Sequence, residues 1–456
     1  MVVQHTSSLA PRRASQDGRA VIVGLGRTGL SCARFLHARG IPFAVTDDRV
    51  APPAADALAR LAPDAPTSFG ELDASLLKGA SQILVSPGVS CREPALAAAA
   101  AHGVPIVGDI ELFVREARAP IVAITGTNGK STVTTLVAAM AEASGYRVLA
   151  GGNLGEPALD LLEQEIPDLY VLELSSFQLE TTSSLAAKVA TVLNVTSDHM
   201  DRYDSMSEYA AAKARVFARC ETAVVNLDDE LVRAMPLGNA RALRFSRVAQ
   251  PAADYYTRSE AGEVLLMRRG ETLVAMSALK IAGLHNALNA LAALAIGEAL
   301  GLRTEACIEA LQRFPGLPHR SQWIADIDGV RYVDDSKGTN VGATLAAVAG
   351  MPGSLVLIAG GQGKGQDFRP LATAFRGRVR HIVLIGQDAP QIAQVLAGVC
   401  TFEYAADMQD AVQRAANAAR PGETVLLSPA CASLDMFHDY AHRGAEFARA
   451  VRELRR

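Results

Sequence analysis

The stretch Ile121-Val122-Ala123-Ile124-Thr125-Gly126-Thr127-Asn128-Gly129-Lys130-Ser131-Thr132 joins a β-branched apolar run to a glycine loop, and the loop to hydroxyl residues that open a helical pattern. Strand, loop and helix in that order set backbone N–H groups and a helix N-terminus around a phosphate. In such a loop Gly126, Thr127, Asn128 and Gly129 form the cradle and Lys130 reaches the β- and γ-phosphates. Ser131 or Thr132 offers a hydroxyl to Mg2+. The strict Walker spacing asks for a glycine five positions before Gly129, where Ile124 stands. The loop is therefore a variant, closed by Gly126 and Gly129. An ordinary glycine turn before a helix is the plain alternative, and the lysine with its paired hydroxyls weighs against it.

The same alternation of short apolar runs with longer Ala/Leu-rich segments extends along the chain in both directions, which predicts βα units, parallel sheets and an α/β fold. Upstream, Ala20-Val21-Ile22-Val23 reads as a buried strand, followed by Gly24-Leu25-Gly26-Arg27-Thr28-Gly29, a helix over Leu30 to His37, and a second strand at Phe43 to Asp47. Ile83-Leu84-Val85 is a further strand, ending in the turn Ser86-Pro87-Gly88, and the alanine-rich Pro94 to Ala101 reads as a helix. After the phosphate loop, strands are expected at Leu169 to Leu174 and Ala190 to Val195. Pro315-Gly316-Leu317-Pro318 suits a linker, beyond which strand-like runs occur at Leu355 to Ile358, His381 to Ile385 and Thr424 to Leu427. Three domains are predicted: a Rossmann-like one over 19–112, a P-loop ATPase-like one over 113–316 and a second Rossmann-like one over 317–456. Residues 1–18, polar and containing Pro11-Arg12-Arg13, read as a loose tail.

A chain of 456 residues is too long for one core, in keeping with that division. A formal charge of −4 argues against a protein that grips nucleic acid by its phosphates, though a nucleotide-sized substrate needs only one or two cationic sites. No window holds eighteen consecutive apolar residues, so no membrane span is expected, and the expected location is the cytoplasm. The six cysteines (Cys32, Cys91, Cys220, Cys307, Cys400, Cys431) are scattered without a C-x-x-C pair, so neither a metal-binding pattern nor a disulfide framework is expected.

Gly-Thr-Asn-Gly-Lys-Ser closely resembles the ATP loop of the Mur ligases and folylpolyglutamate synthases. Further stretches look like that family in the same order. They are Asn153-Leu154-Gly155, Glu173-Leu-Ser-Ser-Phe-Gln-Leu-Glu180, Leu193-Asn-Val-Thr-Ser-Asp198-His199-Met-Asp201-Arg202, Gly283-Leu-His-Asn286 with Asn289, Leu317-Pro-His-Arg320, Asp335-Ser-Lys-Gly-Thr-Asn340 and Leu427-Ser-Pro-Ala-Cys-Ala-Ser433. Enzymes of this family phosphorylate a carboxylate with ATP and capture the acyl phosphate with an amine. The resemblance implies Glu173 and His199 as Mg2+ ligands beside Ser131, two ions in all, with Lys130 at the γ-phosphate. It also implies a CO2-derived carbamate on Lys213, which would then bind metal and join Lys130, Glu173 and His199 as catalytic. Read from sequence alone, Lys213 in Glu208-Tyr-Ala-Ala-Ala-Lys213 is a solvated helix lysine, although burial could lower its pKa enough to expose a neutral amine. For the base and ribose of ATP the resemblance points to Asn289, Arg320 and Asp335.

The first glycine loop, with Asp47 ending the next strand, also fits a dinucleotide fingerprint. Here it resembles the first domain of the glutamate-adding Mur ligases. That resemblance places Arg27 and Thr28 at the diphosphate of a UDP-sugar and Asp47 and Asp48 near the uridine, with Ser86, Gly88, Asn153 and His199 completing the site. The incoming glutamate carries two carboxylates. Lys364 in Gly360-Gly-Gln-Gly-Lys364 offers a cation, Thr339 and Ser433 offer hydroxyls, Tyr440 an aromatic wall, and Lys337 a second cation. Gln362 stands where the family commonly has aspartate, and His438 where it has lysine.

The substrates implied are ATP, UDP-N-acetylmuramoyl-L-alanine and D-glutamate, acted on by a monomer. The same groups could hold L-glutamate. An NAD-dependent oxidoreductase would rest on the first loop alone, and a nucleotide-driven switch would leave the Lys364 cluster without a purpose.

Overall fold

A computed structural model describes residues 18–281, 283–351 and 353–454. The expected tail, apart from Gly18, lies outside the described residues. The run Ala20–Val23 is buried at all four positions and forms the middle of a five-stranded sheet. Its order is Thr67–Phe69, Phe43–Asp47, Ala20–Val23, Gln82–Val85, Ile106–Val107, and every pairing is parallel. The helix after the first glycine loop spans Arg27–Ala38, three residues earlier than Leu30, so Arg27 and Thr28 form its first turn. Pro94–Ala101 is helical as expected.

A second sheet runs Glu271–Ala275, Glu263–Arg268, Tyr255–Glu260, Arg241–Ser246, Thr222–Asn226, Val189–Val192, Ile121–Thr125, Leu169–Glu173, Val148–Gly152. The strand that was expected to continue to Val195 stops at Val192. The next residues leave the sheet because they are tied to the phosphate loop: Thr125 O accepts from Leu193 N, and Asn194 O accepts from Thr127 N. The three strands between 255 and 275 pair antiparallel, a feature the sequence reading missed. They turn at Ala261-Gly262 and Arg269-Gly270, both residues of each pair having positive φ, the two-residue turn that suits strand twist. Alanine and arginine are unusual in the first position, and Thr257-Arg258-Ser259-Glu260 carries no apolar alternation.

The third sheet runs Gln322–Ile327, Val330–Asp334, Thr424–Leu427, Leu355–Gly360, Val379–Ile385, Thr401–Tyr404, with only the first pair antiparallel. Leu355–Gly360 is buried throughout, with apolar side chains on both faces, as a central parallel strand requires. Cys32, Cys220, Cys307 and Cys431 are buried, while Cys91 and Cys400 are half-buried.

The chain packs as two compact units. Among the described residues, one comprises 18–118 with Gly151–Ile166 and Phe177–Leu185, and the other holds the rest, including the third sheet and nearly all of the second. Residue 112 lies inside the helix Asp109–Glu116, in which Leu112 and Phe113 are buried, so the boundary drawn there belongs after Arg118. The segments 151–166 and 177–185 join the first unit through specific bonds. Ser31 Oγ donates to Asp160 at 2.6 Å, Arg34 pairs with Asp160 at 3.1 Å, and Glu111 accepts from the N–H groups of Ser183 and Ser184.

Candidate functional site

In the first unit, burial alone would raise the pKa of Asp47, but Arg49 and two backbone N–H groups bring it down to about 2. Both its oxygens are engaged: Leu25 N of the glycine loop donates at 2.6 Å, and the Arg49 backbone and guanidinium supply the rest. Asp47 thus fixes the loop, while Asp48 beside it is exposed. Ser86 Oγ donates to Gly24 O at 2.7 Å and clamps the same loop from the neighbouring strand. Arg27 is exposed, with Nη2 donating to Gly155 O at 2.7 Å, next to the exposed Asn153; Thr28 follows it in the helix, and Gly88 is open at the strand end. Six residues expected around a UDP-sugar therefore share this unit with Asp47. His199, the eighth of that set, belongs to the other unit.

In the second unit the phosphate loop joins the strand Ile121–Thr125 to the helix Lys130–Ala143. Gly129 caps that helix in the left-handed region, φ 84°, and a Cβ there would lie 2.4 Å from Asn289 Oδ1. Only glycine fits both demands. Glu173 ends the strand beside Ile121–Thr125, in register with Ile124, and is 3% exposed. Lys130 Nζ donates to the carbonyls of Gly126 and Thr127, both at 2.9 Å, and Lys213 Nζ to Gly126 O at 3.0 Å. Lys213 is on the helix Met206–Ala214 but buried, with Nζ 4.4 Å from the Tyr209 ring centre. Burial is the main cause that drives its pKa well below the usual lysine value, and Lys130 adds to it; Asp198 and Glu173 offset only part. The solvated reading of Lys213 is thereby corrected, because the exposed face of a helix and the face against the loop cannot be told apart in Tyr-Ala-Ala-Ala-Lys.

His199 sits at φ 58° with its N–H on Asp198 Oδ1 at 3.0 Å. Burial, and then the lysines around it, hold its pKa near 4 against the pull of Asp198, so it is neutral and has a lone pair for a metal. Lys364, also left-handed at φ 54°, places Nζ 3.6 Å from Asp198 Oδ1.

From the third sheet's side, Arg320 Nη2 donates to Ser131 Oγ at 3.1 Å. Arg320 lies between His319 and Ser321, both with positive φ, and Ser321 N donates to Asp335 Oδ1. Burial raises the pKa of Asp335 to about 7 despite bonds from Ser428 and Ser321. Arg320 and Asp335 join Gly129, Thr132 and Asn289 around a cavity of about 250 Å3. The sequence reading missed several of its other walls, among them Asn194, Asn226, Phe245 and His285, although two of these lie in motifs it quoted.

Lys337 packs Nζ 3.6 Å over the Tyr440 ring, an arrangement that stabilises a cation, and burial lowers its pKa to about 8. Arg443, also missed, is fully buried and holds Ser336 and Cys431 O, so that the strands of chain bearing Thr339 and Ser433 are tied together. No nearby motif announces it. Ser433 is buried and Thr339 half-buried. Gln362 exchanges backbone hydrogen bonds with Ala432, which joins the segment that carries Lys364 to the one that carries Ser433; His438 is exposed and stacks on His442.

Comparison with known proteins agrees with this layout. The Mur ligase MurD-like N-terminal domain matches residues 18–108, the Mur ligase middle domain 124–297, and the Mur ligase glutamate ligase domain 319–431. The UDP-N-acetylmuramoylalanine--D-glutamate ligase of Nitrosococcus oceani is 53% identical over 447 residues, which is 97% of this chain and 98% of that one. The enzyme of the same description from Pseudomonas aeruginosa is 51% identical over 444 residues, covering 96% and 99%. Among solved structures, UDP-N-acetylmuramate-alanine ligase MurC of Thermotoga maritima aligns over 96% of this chain and 100% of its own, with a TM-score of 0.61 at 19% identity.

Proposed function

The chain belongs to the Mur ligase family, and from that premise we propose that it uses ATP to join D-glutamate to UDP-N-acetylmuramoyl-L-alanine in peptidoglycan precursor synthesis. The observation that carries this reading is the Lys364–Asp198 pair beside His199 together with the Arg320–Ser131 bond: cations suited to an amino-acid carboxylate and the nucleotide loop belong to one site.

The L-alanyl carboxylate attacks the γ-phosphorus, an acyl phosphate forms and ADP leaves; the glutamate amine then attacks the carbonyl carbon and phosphate departs. Lys130 and Arg320 spread the charge of the transferring phosphoryl group, which is where most catalytic stabilisation in such a reaction arises. Asn289, Arg320 and Asp335 hold the nucleotide over the cavity, and Lys364 with Thr339, Ser433, Tyr440 and Lys337 receives the glutamate. Burial of this set keeps water from the acyl phosphate. Arg27, Thr28, Asp48, Ser86, Gly88 and Asn153 hold the UDP-sugar, with Asp47 fixing the loop beneath it.

Among the described residues no three His, Cys, Asp or Glu side chains form a metal cage. Mg2+ does not ask for one, since it keeps waters and takes one or two carboxylates together with substrate phosphates. Glu173 and the Ser131 hydroxyl are hard oxygen donors flanking the loop, and neutral His199 would be a further ligand, so these residues fit Mg2+ and would hold the two ions the reaction uses. Lys213 as a carbamate adds a carboxylate to this set. Bound Mg2+ would offset the negative charge gathered on the phosphates. The enzyme acts in the cytoplasm as a monomer on these small-molecule substrates.

The test is phosphate release from ATP and Mg2+ with UDP-N-acetylmuramoyl-L-alanine, comparing D-glutamate, L-glutamate and no amino acid. Release that requires both substrates and strongly favours D-glutamate is expected, with the product confirmed by mass. A preference for L-glutamate would keep the chemistry and change the product; no release from folded protein would overturn the reading.

A further inference from the structure

The side chain of Asn340 is 2% exposed and makes four hydrogen bonds, to three different parts of the second unit. Its Oδ1 caps the helix Val341–Gly350 by accepting from Ala343 N at 2.9 Å. The same oxygen accepts from Asn128 Nδ2 of the phosphate loop at 3.3 Å, and Nδ2 returns a bond to Asn128 Oδ1 at 3.2 Å. Nδ2 also donates to Asp198 Oδ2 at 3.2 Å, on the carboxylate whose other oxygen faces Lys364. An amide can offer two donors and two acceptor sites, and here all are used. No other common side chain of this size presents both a donor pair and an acceptor pair in one plane.

The loop does not depend on this contact for its own shape. Asn194 grips its backbone independently, with Oδ1 accepting from Asn128 N at 2.8 Å and Nδ2 donating to Asn128 O at 3.0 Å. What Asn340 adds is a link between the loop, Asp198 and the start of a helix, and its own chain neighbour is Thr339. We propose that Asn340 is a positioning residue that sets the amino-acid site in register with the nucleotide loop, an inference that rests on the ligase reading above. It touches no reacting atom. Its effect runs through Asp198 and Lys364 on one side and Thr339 on the other.

The cap and the register can be separated by substitution. Serine is as good a helix cap as asparagine but cannot reach both Asn128 and Asp198. Asn340→Ser is therefore expected to melt within a few degrees of wild type and to keep the KM for ATP within about threefold. A lost hydrogen bond to a charged group should raise the KM for D-glutamate or lower kcat by about tenfold or more. A second variant reaches the same joint without removing a polar group. A Cβ at Gly342 would lie 2.8 Å from Thr196 Oγ1, which accepts from Asn128, so Gly342→Ala should push the helix start off the loop and reproduce the glutamate effect. Steady-state kinetics of both variants, with melting curves, decide the matter. Selective loss against D-glutamate in folded protein supports the proposal. Wild-type kinetics in Asn340→Ser, or equal losses for ATP and D-glutamate that track a lower melting temperature, overturn it. Wild-type protein with no amino-acid-dependent phosphate release would overturn the ligase reading itself, and this inference with it.

Discussion

Lys130 and Lys213 direct their ammonium groups at one carbonyl, that of Gly126. Two cations on one acceptor repel, and with burial this favours the neutral amine of Lys213, the form that reacts with CO2. Activity should therefore fall in CO2-depleted buffer and return with bicarbonate, and 13C-labelled bicarbonate should give a carbamate resonance that Lys213→Ala lacks. Full activity without CO2, or the same resonance in the variant, would refute the carbamate. None of this could be read around position 213, because the contact that buries the lysine comes from a residue 87 positions away. Asp109 shows the opposite sign of titration. Burial lifts its pKa to about 6 against the bond from Gln178, and one of its oxygens has no hydrogen-bond partner. A carboxyl whose folded pKa is raised contributes stability at low pH and loses it as pH climbs from about 4 through about 6. Asp109→Asn should thus be the more stable form at pH 8, by up to about 3 kcal/mol, with little gain at pH 4. Denaturant unfolding of both proteins at the two pH values checks this, and an equal difference at both would count against it.

Elements carried the part of the fold that was legible. Ala20–Val23, Phe43–Asp47 and Thr424–Leu427 are central strands buried on both faces, so hydrophobicity and local sequence coincide. The hairpins between 255 and 275 escaped notice because they lie at the sheet's end with one polar face and unusual turn residues. The helix Tyr440–Glu453 illustrates how an element can set a site: its first residue is Tyr440, and Asp439 caps it by accepting from His442 N at 2.8 Å. Loss of such a cap costs about 1 kcal/mol and frays the first turn. Asp439→Ala should therefore lower stability by that amount and weaken D-glutamate binding several-fold through Tyr440 and Lys337, leaving the KM for ATP nearly unchanged. Calorimetric melting and substrate titrations would reveal a mistake if both constants moved together.

Across the whole molecule, the families of contact that build the site were partly legible as well. Ordered motifs named Lys130, Glu173, His199, Arg320 and Lys364 before any geometry was known. Arg443, Asn340 and the cavity walls depend on distant parts of the chain meeting, which no local pattern records. One feature of the assembled site has a longer reach. His199, His319, Ser321, Lys364 and Ala430 hold left-handed backbone conformations without being glycine, and every one lies in or beside the proposed ATP and glutamate pockets. Each costs about 1 kcal/mol relative to glycine, so together they approach the whole margin by which a domain stays folded. Breeding this protein for heat resistance alone would draw glycine into those positions, and turnover would fade as the melting point rose. Endurance and productivity are opposed at five addresses in this chain, and a campaign seeking both would have to find its gains elsewhere.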